Sequence, residues 1–488
     1  MKKKLLLIAV LVFVFTGIVA STITPFLYMR IIQDISRIVR DNYVKSVSID
    51  SLYLNAIKGM LKDLDPHSVY LTAQEYKELQ VKTEGEFGGL GIQIAKMGNY
   101  ITIIAPIEGT PAYRAGILPG DVIVKIDGVD TKDMSINEGV KRMRGKPGTK
   151  CVLTIQREGE EPFDVPIIRD VIRINAVPYY GNIDGVGYIR LSDFSGNAYT
   201  ETKEAIQDLL SQGVKGIVLD LRSNPGGLLV QAVEIASLFI DKGKIVVSTK
   251  GRRSSQTMTS HGNRFEKFPL VVLVDGGSAS ASEIVSGAIQ DWDRGLIVGM
   301  KTFGKGSVQK IWPLSDGALK LTTALWYTPS GRGIDKSFSA KDTAKTFYTL
   351  RMKRVVHGGG GITPDTIIPY PKLEKIVAKL RNKNLFFKFS VHYMKQHKDD
   401  FKDVNSEILN EFKTYVKKNK VEFTDKEWKD AEDTIKYYLR MQLFENKWGT
   451  KGKYRALLEN DNQFNFARKL LKRCKDYRDV FKAYRMTH

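Results

Sequence analysis

A hydroxyl and an amine are the two groups whose types and setting in this chain suggest joint chemistry. The segment Gly277-Ser278-Ala279-Ser280-Ala281-Ser282-Glu283 carries three serines among small residues. Some two dozen residues on, Gly304-Lys305-Gly306-Ser307-Val308-Gln309 holds a lysine between two glycines, which leave room for a substrate or a tight turn. A lysine kept neutral can draw the proton off a serine hydroxyl and so make it a nucleophile. The six histidines offer little alternative: none lies in the immediate neighbourhood of the serines, and none shows the His-Glu-x-x-His spacing of a zinc hydrolase. At this level Ser278, Ser280 and Ser282 all stand as candidates.

The elements that must position these groups are legible around them. The apolar run Pro269 to Val274 precedes the serines, and apolar residues at helical spacing follow from Glu283 to Trp292. That order predicts strand, small-residue turn, helix, so the serine sits at a helix N-terminus, where unpaired N–H groups and the macrodipole favour negative charge. After Ile172 strands and helices alternate: Gly187 to Leu191, Thr200 to Leu210, Gly216 to Arg222, Leu228 to Ile240, Ile245 to Ser248. The alternation predicts an α/β core, and the Gly-x-Ser-x-Gly elbow of the α/β-hydrolases is absent around Ser280. From about Gly85 to Asp170 the pattern is short strands with glycine turns. Before it, Arg30 to Asn42 and Ser51 to Leu64 have helical spacing, broken at Asp65-Pro66-His67-Ser68 because proline disfavours helix in the residue before it. After Pro371 the chain is helical, aromatic and basic, and Phe386, Phe389, Tyr393, Phe412, Tyr415 and Phe423 read as a helical core.

At 488 residues the chain exceeds one hydrophobic core, and 42% hydrophobic with 26% charged residues places it among ordinary folded proteins. The net charge of +21 is concentrated after Pro371 and shows no basic motif with interleaved aromatics, so nucleic acid is not an expected partner. Met1-Lys2-Lys3-Lys4 before the apolar run Leu5 to Ala20 forms a targeting segment, either a cleaved signal peptide or a membrane anchor. Lysines on its N-terminal side leave the rest of the chain outside the cytoplasm, in the periplasm or cell envelope. Cys151 and Cys474 form neither a disulfide framework nor a metal spacing, and buried free thiols are expected.

Several segments together resemble the C-terminal processing peptidases, or tail-specific proteases. They are IKGMLKDLDPHSVYLT (Ile57 to Thr72), FGGLGIQI (Phe87 to Ile94), AGILPGDVIVKIDG (Ala115 to Gly128), MRGKPGT (Met143 to Thr149) and LDLRSNPGGLL (Leu219 to Leu229), then GSASASEI, TFGKGSVQ and GGGGITPD (Gly358 to Asp365). The resemblance implies a multidomain α/β protein: a crotonase-like or Clp-protease-like peptidase core with an inserted PDZ domain. It divides the chain into a targeting segment (1–28), an N-terminal helical segment (29–84), the PDZ domain (85–170), the serine peptidase core (171–370) and a helical basic C-terminal extension (371–488). The extension lies outside the resemblance, with docking on the peptidase and self-assembly into a homo-oligomer as its open roles.

By the same resemblance Ser280 is the nucleophile, Lys305 the general base and Gln309 the residue that orients it, while His67 belongs to a structural corner. A glutamine amide oxygen can hold the amine without adding a charge that would keep it protonated. The oxyanion donors are expected to be the N–H of Ala281, at the helix start, and that of Gly227 rather than Gly226 in the Asn224-Pro225-Gly226-Gly227 loop. Gly89, Leu90, Gly91 and Ile92 look like the loop with which a PDZ domain grips a C-terminal carboxylate, and the strand after it would pair with the peptide. The expected substrates are proteins or peptides with exposed C-terminal tails, which the PDZ domain recognises; tethering the tail and gating the site stand as its open roles. Neither a metal nor an organic cofactor is expected.

Overall fold

The computed structural model describes residues 26–262, 265, 267–338, 345–397 and 401–486, so the targeting segment expected over 1–28 falls almost wholly outside the described residues. Among the described residues no helix is long and apolar enough to cross a membrane. The chain forms two compact units: one takes the chain up to Glu78 together with Val308–Thr323, the other Leu79–Ser307 and Ala324–His488.

In the larger unit a six-stranded sheet runs in the order Tyr179–Ile183, Val186–Arg190, Ile217–Asp220, Leu270–Val274, Leu296–Gly299, Thr366–Ile367. Its first pair is antiparallel and the remaining pairs are parallel. The three central strands are buried at every residue. That is why they read as unbroken apolar runs in the sequence: a parallel sheet is covered on both faces. Register aligns Tyr188, Val218, Val271 and Leu296 in one row across the sheet. This row packs against Phe464, Ala467, Leu470, Leu471, Val480 and Phe481 of the C-terminal extension. Alternate residues Leu219, Val272 and Ile297 point to the other face.

The extension therefore has two parts. Helices Lys375–Asn382, Leu385–His397 and Ser406–Lys418 build their own core, in which Phe386, Phe389, Tyr393 and Phe412 are buried and Tyr415 and Phe423 half-buried. Helices Asn462–Leu471 and Asp479–Arg485 instead complete the peptidase sheet. Glu432–Glu459 joins them and breaks at Trp448 and Gly449, the latter at φ 61°. The helical stretch expected after Pro371 is divided here, because Asp461 caps a new helix by accepting the Phe464 N–H at 3.0 Å.

The PDZ-like region has a sheet ordered Ile92–Met97, Tyr100–Pro106, Val122–Ile126, Lys150–Gln156, Phe163–Ile168. Its core gathers Leu90, Ile101, Ile103, Ile123, Leu153 and Ile155. Helix Ile136–Met143, capped by the Ser135 hydroxyl, packs beside Ile92–Met97, which is an edge strand. The glycine-rich stretch starts as strand rather than loop: Glu86–Gly89 pairs antiparallel with Asp170–Arg173.

The smaller unit holds a helix over 26–42, helix Ile49–Leu61 and strand Val69–Leu71, antiparallel to residues 318–320. The Asp65 carboxylate makes its corner, accepting the N–H of His67 at 2.8 Å, the N–H and hydroxyl of Ser68, and the Thr322 hydroxyl.

Candidate active site

Strand Leu270–Val274 ends at Asp275, and the turn that follows delivers Ser280 to the start of helix Ala281–Asp291. Ser280 has φ 55°, a left-handed conformation that costs on the order of 1 to 3 kcal/mol for a residue with a Cβ and persists where the surroundings over-determine it. Its rivals are committed elsewhere. Ser278 is fully buried, donating to the Leu221 carbonyl at 2.8 Å and accepting the Asp275 N–H at 2.9 Å. Ser282 is fully buried too, its hydroxyl on the Asn224 carbonyl at 2.9 Å. Ser280 is half-buried at the tip.

The Asn224–Gly227 loop comes to the same place. A Cβ on Gly226, at φ 96°, would lie 2.7 Å from the Ala279 carbonyl oxygen and 2.9 Å from both the Ala281 nitrogen and the Ser280 Cβ, so only glycine fits against the elbow. Asn224 pins the loop: its carbonyl accepts the Ala279 N–H, its side chain donates to Leu191, and it accepts the Gly226 N–H. Gly227 bridges to Phe194 through its neighbours, with Phe194 N–H on the Gly226 carbonyl and Leu228 N–H on the Phe194 carbonyl. The Gly227 peptide N–H takes no part in that bridge. The Ala281 N–H, first in its helix, has no partner within the helix.

The lysine segment is tied to the elbow by a residue not singled out from the sequence. The fully buried Glu283 carboxylate accepts Ser280 N–H at 2.8 Å and Lys305 N–H at 2.9 Å on one oxygen, and Gly304 N–H at 2.7 Å and the Thr302 hydroxyl at 2.6 Å on the other. One carboxylate thus sets the backbone of both Ser280 and Lys305. Burial pushes Glu283 above the ordinary carboxylate range even though four donors pull the other way. Its signal was present, since Ser280-x-x-Glu283 is a capping-box spacing, but that pattern predicts a helix start and not a link to Lys305. Gln309 lies in the smaller unit on strand Ser307–Pro313, its amide donating to the Thr322 hydroxyl at 3.2 Å.

In the PDZ-like loop, Gly89 pairs with Asp170, and the buried Leu90 offers its carbonyl to Ala112 N–H at 2.9 Å. Gly91 at φ 80° accepts Ile107 N–H at 2.8 Å, and a Cβ there would strike the Thr110 side chain. Because a peptide plane points its C=O and the following N–H in opposite directions, these bonds turn the N–H groups of Gly91 and Ile92 to the other side of the loop. Among the described residues no group of three or more His, Cys, Asp or Glu is placed to hold a metal ion. Cys151 and Cys474 are free and buried.

Residues 185–366 match the Peptidase family S41 profile, and residues 102–157 match a PDZ domain profile. A carboxy-terminal-processing protease of Bartonella bacilliformis is 45% identical over 352 residues, which is 70% of this chain and 75% of that one. A probable CtpA-like serine protease of Staphylococcus aureus is 39% identical over 350 residues, 71% of this chain and 66% of its own length. Among solved structures, a photosystem II D1 C-terminal processing protease is 30% identical, covering 68% of this chain and 86% of its own, with a TM-score of 0.40. With these profile matches and the 45% identity to the Bartonella bacilliformis protein, the chain belongs to peptidase family S41, as a serine-type C-terminal processing protease with a PDZ domain.

Proposed function

We propose that this chain is an exported endopeptidase that cuts proteins at or near their C-terminal tails through a Ser280–Lys305 acyl-enzyme mechanism. The observation that carries the reading is the Glu283 carboxylate shared by the Ser280 and Lys305 backbones, a tie that serves two groups acting together. Ser280 Oγ attacks the peptide carbonyl carbon while the neutral Lys305 amine takes its proton. The oxyanion is held by the N–H groups of Ala281 and Gly227, with the helix N-terminus adding a favourable dipole. The ammonium then returns the proton to the departing amine, and water activated by Lys305 hydrolyses the ester. Gln309 orients Lys305 with an uncharged amide, so no carboxylate raises the amine's affinity for its proton.

The PDZ loop Gly89 to Ile92 takes the substrate's terminal carboxylate, and the edge strand Ile92–Met97 pairs with its tail. This domain recognises the tail, with gating of the site as a second, open role. Lys2 to Lys4 and the apolar run Leu5 to Ala20 support export to the periplasm or cell envelope. The test is digestion of casein by the purified chain. Wild type should cleave it; Ser280→Ala and Lys305→Ala should each be inactive with an unchanged circular dichroism spectrum. Cleavage by Ser280→Ala would end the mechanism.

A further inference from the structure

The loop proposed to hold the oxyanion is backed by a buried ion-pair cluster whose outer member comes from the far end of the chain. Asp220 ends its strand on the face of the sheet that the C-terminal helices cover. Its carboxylate accepts the Tyr188 hydroxyl at 2.6 Å and the Arg222 N–H groups, and the Arg190 guanidinium lies 3.5 Å away. The Arg222 guanidinium reaches outward from there to Asp461 Oδ2 at 2.7 Å and Gln463 Oε1 at 3.1 Å. Its Nε and both terminal nitrogens are engaged, and its side chain is only 9% exposed. Immediately after Arg222, Ser223 N–H is held by Asp275, and Asn224 begins the loop that ends at Gly227.

We propose that Asp461 is a positioning residue for catalysis: through Arg222 the C-terminal extension holds the Asn224–Gly227 loop in the geometry that aims the Gly227 N–H at the oxyanion. This rests on the serine-peptidase reading above. Asp461 lies beyond the residues that match the peptidase family profile, 185–366. With Asp461 and Gln463 removed, Arg222 retains Asp220, which sits on its own strand, and loses both anchors that come from outside it. A side chain held on one side can swing, and the loop backbone moves with it. Oxyanion donors act through fixed placement, so a small displacement lowers turnover more than substrate binding.

Asp461→Asn is the deciding variant, because asparagine keeps the helix cap on Phe464 and removes only the charge that faces Arg222. In the full chain, casein turnover should fall about tenfold in kcat with KM unchanged. Asp461→Glu should restore most of it. Arg468→Ala, on the same helix but paired with Asp184, should turn over like wild type. Alkylation of Cys474, buried where the extension meets the sheet, reports whether the helices stay docked. A tenfold loss in Asp461→Asn with Cys474 still protected supports the role. Turnover within twofold of wild type overturns it, as does a loss that appears only together with Cys474 labelling. Cleavage that survives Ser280→Ala overturns the serine-peptidase reading and this role with it, a result distinct from the other two.

Discussion

Two buried carboxylates flank the candidate site and are satisfied in opposite ways. Glu283, between Ser280 and Lys305, meets only neutral donors: three backbone N–H groups and a threonine hydroxyl. Asp220, behind the glycine loop, meets a guanidinium. Burial raises Glu283 above the ordinary range in spite of its donors. Burial acts on Asp220 as well, but the Arg222 charge and its hydrogen bonds, with Arg190 and Tyr188 behind them, hold it below the ordinary range. Hydrogen bonds from neutral groups place a carboxylate without fully offsetting its desolvation, whereas a countercharge does offset it. The difference suits each location. Neutral donors set the backbones of Ser280 and Lys305 without bringing a further ionised side chain to the site. A loop that must stay fixed gains from a charged clamp.

The largest effect that would break this contrast is on turnover. Glu283→Ala strands three N–H groups, that of Gly304 buried and those of Ser280 and Lys305 part-buried, and releases both arms of the site, so casein turnover should fall about a hundredfold, with Glu283→Gln nearer tenfold. An alanine variant within threefold of wild type would show that the tie is incidental. Next comes stability. Arg222→Met leaves the buried Asp220 with only the more distant Arg190 guanidinium and should cost about 3 kcal/mol by urea unfolding, more than Glu283→Gln costs.

The pH dependence sharpens the contrast by sign. Asp220, lowered in the fold from 3.8, adds stability that is present above that value and lost as pH falls through the lowered one. Glu283, raised from 4.5, adds stability that is present below that value and fades as pH rises through the raised one. Relative to wild type, the melting-temperature deficit of Asp220→Asn should therefore grow as pH climbs out of the acid range, while that of Glu283→Gln should shrink between pH 4.5 and neutrality. Deficits that move together would show the two carboxylates to be alike. The smallest expected effect is a null: burial pushes the Cys151 and Cys474 thiols up to about 11. Iodoacetamide at about pH 8 should label neither before denaturation.

Much of the site was legible because its requirements are local. Ser280 needed a strand, a small-residue turn and a helix in succession, and the run from Pro269 to Trp292 spells that order; the observed helix begins at Ala281. Gly226 and Gly227 were visible as a loop, though the reason for Gly226 was not, since the atoms that exclude a Cβ belong to the serine turn. Glu283 could be read as a cap but not as a link, because its second set of donors comes from Thr302, Gly304 and Lys305. Asp461 carried no legible signal beyond a helix start, for its partner Arg222 is near it only in the folded chain.

What the residues indicated alone was periodic and near-neighbour: which stretches read as strands or helices and where glycine stands in a turn, while the choice among the three serines came from the family resemblance. Helical spacing after Pro371 could not say which helices close a core of their own and which cover the peptidase sheet, because both bury an apolar face of the same kind. That choice was made by tertiary packing. Only there do the row of Tyr188, Val218 and Val271 and the buried guanidinium of Arg222 demand a partner surface, and Phe464 and Leu471 supply the shape while Asp461 supplies the countercharge.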